Sequence, residues 1–147
     1  MGLSKVLFSS ASQHWNTPRA VYDALDAEFH FNFDPCPPGH SEVPLFGEGS
    51  IYRSWAGKRV FCNPPYGPKI LDFVSKGKEP DVAVFLLPAR TDTKWFHEIV
   101  LPGASEIRFL KGRLSFGNGN GPAPFPSLLA IFRSDVEQRA SYKMNPH

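Results

Sequence analysis

The tetrapeptide Asn63-Pro64-Pro65-Tyr66 carries the clearest chemical signal in the sequence. Two adjacent prolines fix φ at about −65° and remove two backbone donors, so nearby carbonyl groups remain acceptors in a rigid loop. The side-chain oxygen of Asn63 and the carbonyl of Pro64 can each accept a hydrogen bond from a planar NH₂ group. This grip pulls the nitrogen toward tetrahedral geometry and frees its lone pair. The pattern predicts methyl transfer to an amide or aryl amine, with Tyr66 stacked on the acceptor. The alternative is a capped strand end followed by a Pro-Pro turn.

Two further polar motifs follow predicted strands. Asp34-Pro35 ends the alternating pattern of residues 29–33, and Pro88-Ala89-Arg90 ends the continuous apolar run of residues 81–88. Ligands of open α/β sheets bind at the carboxyl ends of parallel strands. Because Asn63 also follows a predicted strand, the three motifs predict one active site.

Each of these side chains also has a simpler interpretation. Asp34 could only cap the turn after its strand, since Asp-Pro commonly opens turns. Arg90 is expected at the rim of the site, where it would hold a phosphate or carboxylate, or else pair with Asp92. Trp15 is either a wall of the pocket or an anchor in the core.

Helices are predicted between the strands. Thr17 is the expected N-cap and Pro18 the first residue of a helix whose apolar stripe is Val21, Leu25 and Phe29. The other predicted elements are helices after Pro68 and after Thr91-Asp92-Thr93, and strands at residues 58–62, 107–110 and 128–132. This alternation predicts an α/β open sheet.

Length and composition exclude several classes of protein. The chain has 147 residues, of which 41% are hydrophobic and 20% charged, as in one globular domain. We expect a flexible arm over residues 1–14, a domain over 15–134 and a tail over 135–147. No run approaches the about eighteen apolar residues of a membrane helix, and the N-terminus is a poor signal peptide. These features predict a cytoplasmic protein with no membrane partner.

The two cysteines predict reduced thiols rather than a disulfide framework. Cys36 and Cys62, with His30 and His40 near them in sequence, lack the paired spacing of zinc ligands. No metal site is therefore predicted, and the sequence does not reveal whether the protein forms a homo-oligomer.

Basic residues are concentrated in the second part of the chain. Residues 1–52 carry two basic and six acidic side chains, whereas residues 53–147 carry fourteen and eight. Lys111, Arg113 and Phe116 lead into a loop rich in Gly, Asn and Pro, and cations beside a ring suit a nucleic-acid strand. The alternatives are an ordinary solvated surface and a core position for Phe116.

Six motifs follow one another over residues 15–133. They are Trp15-x-Thr17-Pro18, Glu28-Phe29-x-Phe31-x-x-Asp34-Pro35-Cys36, Trp55-x-Gly57, Asn63-Pro64-Pro65-Tyr66-Gly67, Leu87-Pro88-Ala89-Arg90-Thr91-Asp92-Thr93-x-Trp95-Phe96-His97 and Lys111-Gly112-Arg113-Leu114-x-Phe116. In this order they resemble the phage DNA N6-adenine methyltransferases, the Dam-like phage family. The resemblance implies a compact, truncated Rossmann-like methyltransferase sheet with helices on both faces. It also implies S-adenosyl-L-methionine (SAM) as methyl donor and adenine N6 in double-stranded DNA as acceptor.

The resemblance also implies roles for individual residues. Asp34 corresponds to the acid that binds the methionine ammonium of SAM. Thr17 and Pro18 correspond to a segment that touches its methionine end. Together with the chemistry of the motifs above, the predicted sets are catalytic residues Asn63, Pro64, Pro65 and Tyr66, cofactor-binding residues Trp15, Thr17, Pro18, Asp34 and Pro35, and nucleic-acid-binding residues Arg90, Lys111, Arg113 and Phe116. The target adenine must leave the duplex to reach Asn63, with Tyr66 and Phe116 as the two faces of its pocket.

The chain departs from the wider methyltransferase class in two ways. Pro37-Pro38-Gly39 stands where a glycine-rich loop is usual, and only 28 residues separate Asp34 from Asn63. Two strands of the usual sheet are therefore expected to be missing, and no ribose ligand can be named. The alternatives are methylation of RNA adenine or of a protein glutamine amide, and a catalytically inactive nucleic-acid-binding protein.

Overall fold

One mixed sheet of four strands organises the part of the chain that the structure, a computed structural model, describes: residues 16–36, 51–115 and 121–134. The strands are β1 (Arg59–Cys62), β2 (Val82–Pro88), β3 (Glu106–Phe109) and β4 (Ser127–Arg133), in the spatial order β1-β2-β4-β3. The helices are α1 (Arg19–Phe29), α2 (Ile70–Val74) and α3 (Leu101–Gly103), with a π-helical segment (Phe96–Val100) leading directly into α3. The predicted α/β class is confirmed.

Strand β2 lies in the interior of the sheet, as its apolar sequence predicts. All seven of its residues are buried. It pairs in parallel with β1 and antiparallel with β4, and β3 pairs antiparallel with β4 on the outer side. Because side chains of a strand alternate between faces, burial of every residue of β2 means that both faces of the sheet are covered there.

Helices cover the two faces separately. On one face, the Tyr22 ring of α1 packs edge-on against Phe61 of β1, with centroids 5.2 Å apart. On the other face, Phe132 of β4 contacts Phe85 of β2, and Gly77, after α2, and Gly103 of α3 lie against the Phe132 ring. The structure therefore has helices on both faces, as expected.

Helix α1 confirms the predicted stripe, but the prediction for its first turn was wrong. Leu25 and Phe29 are buried and Val21 packs against the core. Pro18, not Thr17, is the N-cap, and it forms no side-chain capping bond. The Thr17 hydroxyl instead accepts a hydrogen bond from a distant part of the chain, Nδ2 of Asn63.

The strand predicted over residues 29–33 is reduced to one bridge. Phe29 ends α1, and His30 has a φ of 55°, the left-handed conformation that often terminates helices. Only Phe33 pairs, as a single parallel bridge with Val60 of β1. The alternation failed as a signal because Phe29 completes the helical stripe, while Phe31 packs its ring against Phe61.

A close helix-to-sheet contact yields a test of the packing. A Cβ added at Gly77 would lie 2.9 to 3.1 Å from three ring atoms of Phe132, too close without a shift of the core. We expect Gly77→Ala to lower the free energy of unfolding by about 1–3 kcal/mol, as overpacking of cores does. Urea unfolding measures this change. Gly103→Ala is the comparison, because its shortest contacts are 3.2 Å and include the flexible end of Lys78. An equal loss in both variants would contradict the prediction.

Candidate active site

The sheet brings the chemical motifs to one edge. Pairing of Pro88 with Ser127 and of Phe109 with Leu128 places the carboxyl ends of β2 and β3 beside the start of β4. The parallel partner β1 ends at Cys62, so residue 63 emerges at the same edge. The predicted convergence of the Asn63, Asp34 and Arg90 segments follows from this topology.

Asn63 is held by the residue that precedes α1. Its Nδ2 donates a hydrogen bond to Oγ1 of Thr17 over 3.0 Å. Because the amide group is planar, this bond directs its donor side to Thr17 and turns its acceptor, Oδ1, the other way. Pro64 is buried and Pro65 half-buried. Because each proline ring fixes its φ angle, this part of the backbone is rigid. The hydrogen bond therefore joins two of the motifs, one predicted for the cofactor and one for catalysis.

This hydrogen bond predicts a positioning effect of Thr17. Thr17→Val keeps the shape but removes the acceptor of Asn63 Nδ2, so the amide is held less firmly. A net hydrogen bond of about 1 kcal/mol corresponds to a fall in kcat of about five- to tenfold. Thr17→Ser retains the hydroxyl and is expected to recover most of the rate in single-turnover methylation. Equal rates in the Val and Ser variants would show that the hydroxyl plays no such part.

Asp34 is a half-buried carboxylate at the same edge. Its Oδ1 accepts a hydrogen bond from the backbone N–H of Cys36 at 2.8 Å, which is the turn geometry that the simpler interpretation predicted. Burial nevertheless raises the pKa of Asp34 to about 6, against the smaller lowering effect of that hydrogen bond. Among the described residues, no basic side chain contributes to lowering this pKa. Within the part of the chain that the structure describes, no cation therefore compensates for the partial burial of this carboxylate.

Two free thiols lie near this carboxylate. Cys62 is buried and Cys36 half-buried. Burial raises the pKa of Cys62, and the neighbouring Cys36 and Asp34 raise it further. Within the described ranges, no group of three or more His, Cys, Asp or Glu side chains is arranged to hold a metal ion.

Tyr66 is more buried than its predicted role in stacking on a base requires. It is only 5% exposed, and its hydroxyl donates a 3.3 Å hydrogen bond to the carbonyl of Leu86 in β2. Burial raises the pKa of its phenol. Its ring meets the ring of Phe125 at a centroid distance of 5.4 Å. In this conformation Tyr66 is therefore covered by the segment that leads into β4.

Arg90 is exposed at the rim, directly after β2. Its guanidinium lies over the Phe125 ring, 5.6 Å from the centroid. The alternative ion pair with Asp92 does not form between these two described residues. The backbone of this segment is pinned by Thr93, whose hydroxyl donates to the Arg90 carbonyl and accepts from the Phe96 N–H.

The segments after β3 and before β4 run beside each other at this edge. The N–H of Ala123 donates to the Leu114 carbonyl, and Ser115 bridges Pro122. Lys111 and Arg113 are exposed on this extension, as their predicted role requires. The predictions for Trp15 and Phe116, and those for the N-terminal arm and C-terminal tail, lie outside the described residues.

Comparison with protein-family models identifies the family. The model of the DNA N-6-adenine-methyltransferase (Dam) family matches residues 6–141. The chain belongs to this family. A search of curated proteins finds no match. The matched range includes every motif at the sheet edge, so the family assignment rests on the same part of the chain as the candidate site.

The structure of this Dam family member places one further residue in the candidate site, and the sequence motifs did not indicate it. Phe125 contacts Tyr66 and Arg90, and it lies between Pro124 and Pro126 in the Gly-, Asn- and Pro-rich loop that the sequence predicts after Phe116. The available sequence signal was a phenylalanine between two prolines, but this signal does not indicate which other motif the ring contacts.

None of the described helices is long and apolar enough to span a bilayer.

Proposed function

We propose that the protein transfers a methyl group from SAM to N6 of adenine in double-stranded DNA. The hydrogen bond between Thr17 and Asn63 carries this proposal, because it orients the Asn63 amide at the sheet edge where Asp34 and Arg90 also emerge. Membership in the Dam family supports adenine N6 as the acceptor atom.

Asn63 and Pro64 act on the target amine. With its donor side engaged by Thr17, the Asn63 amide presents Oδ1 as an acceptor for one hydrogen of the adenine NH₂. The carbonyl of Pro64 accepts the other hydrogen. Two such bonds favour tetrahedral over planar nitrogen, so the lone pair leaves the ring system and points toward the methyl donor. Neither residue forms a covalent bond to the base.

The residues present also fit the proposed cofactor. The Asp34 carboxylate is half-buried without a basic partner among the described residues, and an ammonium group such as that of methionine would compensate its charge. When bound, SAM supplies an electrophilic methyl group. Thr17 and Pro18 would contact its methionine end, with Pro35 beside Asp34. Trp15 would form a wall of the same pocket.

The acceptor must be brought out of the duplex before Asn63 can reach it. Extrusion of a base costs a few kcal/mol, least where pairing is already broken. Arg90, Lys111 and Arg113 are exposed cations at the site edge and would contact the flanking phosphates. Binding would then fall steeply as the salt concentration rises.

Parallel transfer assays test the proposed function. The protein is incubated with methyl-labelled SAM and duplex DNA, RNA or a glutamine-containing peptide, and modified adenine is identified by mass spectrometry. We expect label in DNA as N6-methyladenine. Label found only in RNA or peptide would replace the proposed acceptor, and label in none of the three would overturn methyl transfer.

A further inference from the structure

Phe125 occupies space that the proposed reaction needs. Its ring meets Tyr66 edge to face, with 63° between the ring planes, and the two side chains are 7% and 5% exposed. A base can stack on Tyr66 only if one of the groups covering that ring moves. Phe125 is a described aromatic ring in direct contact with Tyr66, so we consider its displacement.

Tyr66 carries a polar anchor that a phenylalanine ring cannot have. Its hydroxyl is hydrogen-bonded to Leu86 in the buried strand β2, and its backbone follows the rigid Pro64-Pro65 step. The backbone around Phe125 is also anchored, through Ala123 to Leu114 and through the Pro126 carbonyl to Ala89. A change in rotamer can nevertheless move the Phe125 side chain while leaving these two backbone hydrogen bonds intact.

We propose, resting on the proposed function, that Phe125 is the gate of the adenine site: its ring fills the space beside Tyr66 until the target base displaces it. The base then takes over the aromatic contact that Phe125 makes with Tyr66. The geometry favours this exchange because both contacts are ring to ring and both use the side of Tyr66 that Phe125 covers.

Arg90 links the gate to the nucleic-acid backbone. Its guanidinium lies over the Phe125 ring and stabilises the closed position through a cation–π contact. When the ring leaves, this contact is lost and the guanidinium is available to a phosphate. Entry of the base and binding of the backbone at Arg90 would therefore favour each other.

Binding of short single strands tests the gate without knowledge of the recognition sequence. The probes are fluorescent twelve-nucleotide strands of deoxyadenosine or deoxythymidine, titrated with wild-type protein and Phe125→Ala. The wild type must break the Phe125–Tyr66 contact before adenine stacks, whereas the variant need not. We expect the variant to bind the adenine strand about fivefold more tightly, the size of an aromatic pair contact. Binding of the thymine strand should tighten less, because thymine has no exocyclic amine for Asn63 and gains only from the release of Arg90.

A second variant keeps the test informative if Phe125→Ala does not fold. Phe125→Leu retains apolar volume but loses the ring, and we expect about twofold tighter binding of the adenine strand. Phe109→Ala is the matched control, because Phe109 is 63% exposed at the end of β3 and has no ring contact with Tyr66. It should not show selective tightening on adenine.

The outcomes separate the gate from the proposed function. If folded Phe125 variants bind the adenine strand no more tightly than wild type, or gain as much affinity for the thymine strand, the gate is wrong. If wild-type protein fails to methylate duplex DNA, the proposed function fails, whatever the variants do. If Phe125 substitution only destabilises the protein, binding of both strands should become weaker. That result would also overturn the gate.

Discussion

Asn63→Ala is expected to lower the rate of adenine methylation by about 10²- to 10³-fold, the usual cost of losing a group that stabilises the reacting atoms. The substitution removes the proposed acceptor Oδ1, so one hydrogen of the target amine loses its partner. The amine then stays closer to planar, with its lone pair delocalised into the ring. Single-turnover transfer from labelled SAM to duplex DNA measures the change, and calorimetry should show only a modest loss of SAM affinity.

A second asparagine provides the control. Asn32 Oδ1 accepts the Arg59 N–H at 2.8 Å, so its amide also holds a backbone segment, but its side chain is exposed. Asn32→Ala should lose a little stability and keep the methylation rate. If folded Asn63→Ala protein turns over like Asn32→Ala, Asn63 has no part in the chemistry.

The sequence predicts the framework well because its signals are strong there. The uninterrupted apolar run of residues 81–88 identifies a strand buried on both faces, and β2 is such a strand. The stripe of Val21, Leu25 and Phe29 likewise predicts α1. Once strands are known, their carboxyl ends are known, which is why the motif residues could be expected at one edge of the sheet.

Side-chain partners were harder to predict because they depend on contacts between distant segments. Thr17 has the sequence features of an N-cap, yet its hydroxyl serves Asn63, 46 positions along the chain. Phe125 lies in a proline-rich loop whose backbone path local propensity does not define. Residues 29–33 show the limit of periodicity, because the same phenylalanines fit the end of a helix and a strand.

Asp34→Asn should reduce SAM affinity about ten- to hundredfold, because a charge-assisted hydrogen bond to the methionine ammonium is worth roughly 1.5–3 kcal/mol. Asn keeps the shape and can still accept the hydrogen bond from the Cys36 N–H, so the turn is preserved. Calorimetric titration of SAM into folded wild-type and variant protein measures the difference. An unchanged dissociation constant would leave Asp34 as a turn residue only.

The pH dependence of the same pair provides a second measurement. Since burial raises the pKa of Asp34 from its ordinary value of 3.8 to about 6, ionisation of this group destabilises the folded protein. The protonated Asp34 carboxyl makes its full contribution to stability below pH 4, and this contribution is lost as the pH rises through 6. The free energy of unfolding changes by up to roughly 3 kcal/mol over this range. Asp34→Asn should therefore be the more stable protein at pH 7.5 in the absence of SAM.

Binding should show the opposite trend with pH. Only the ionised carboxylate can pair with an ammonium group, so wild-type SAM affinity should fall about tenfold between pH 7 and pH 5, as the carboxylate with its pKa of about 6 becomes protonated. The Asn variant should bind weakly with little change over this range. A variant that is stabilised at pH 7.5 and binds SAM weakly at every pH would show that Asp34 is kept at a cost in stability for its charge. Parallel pH profiles in both proteins would instead assign the dependence to another group.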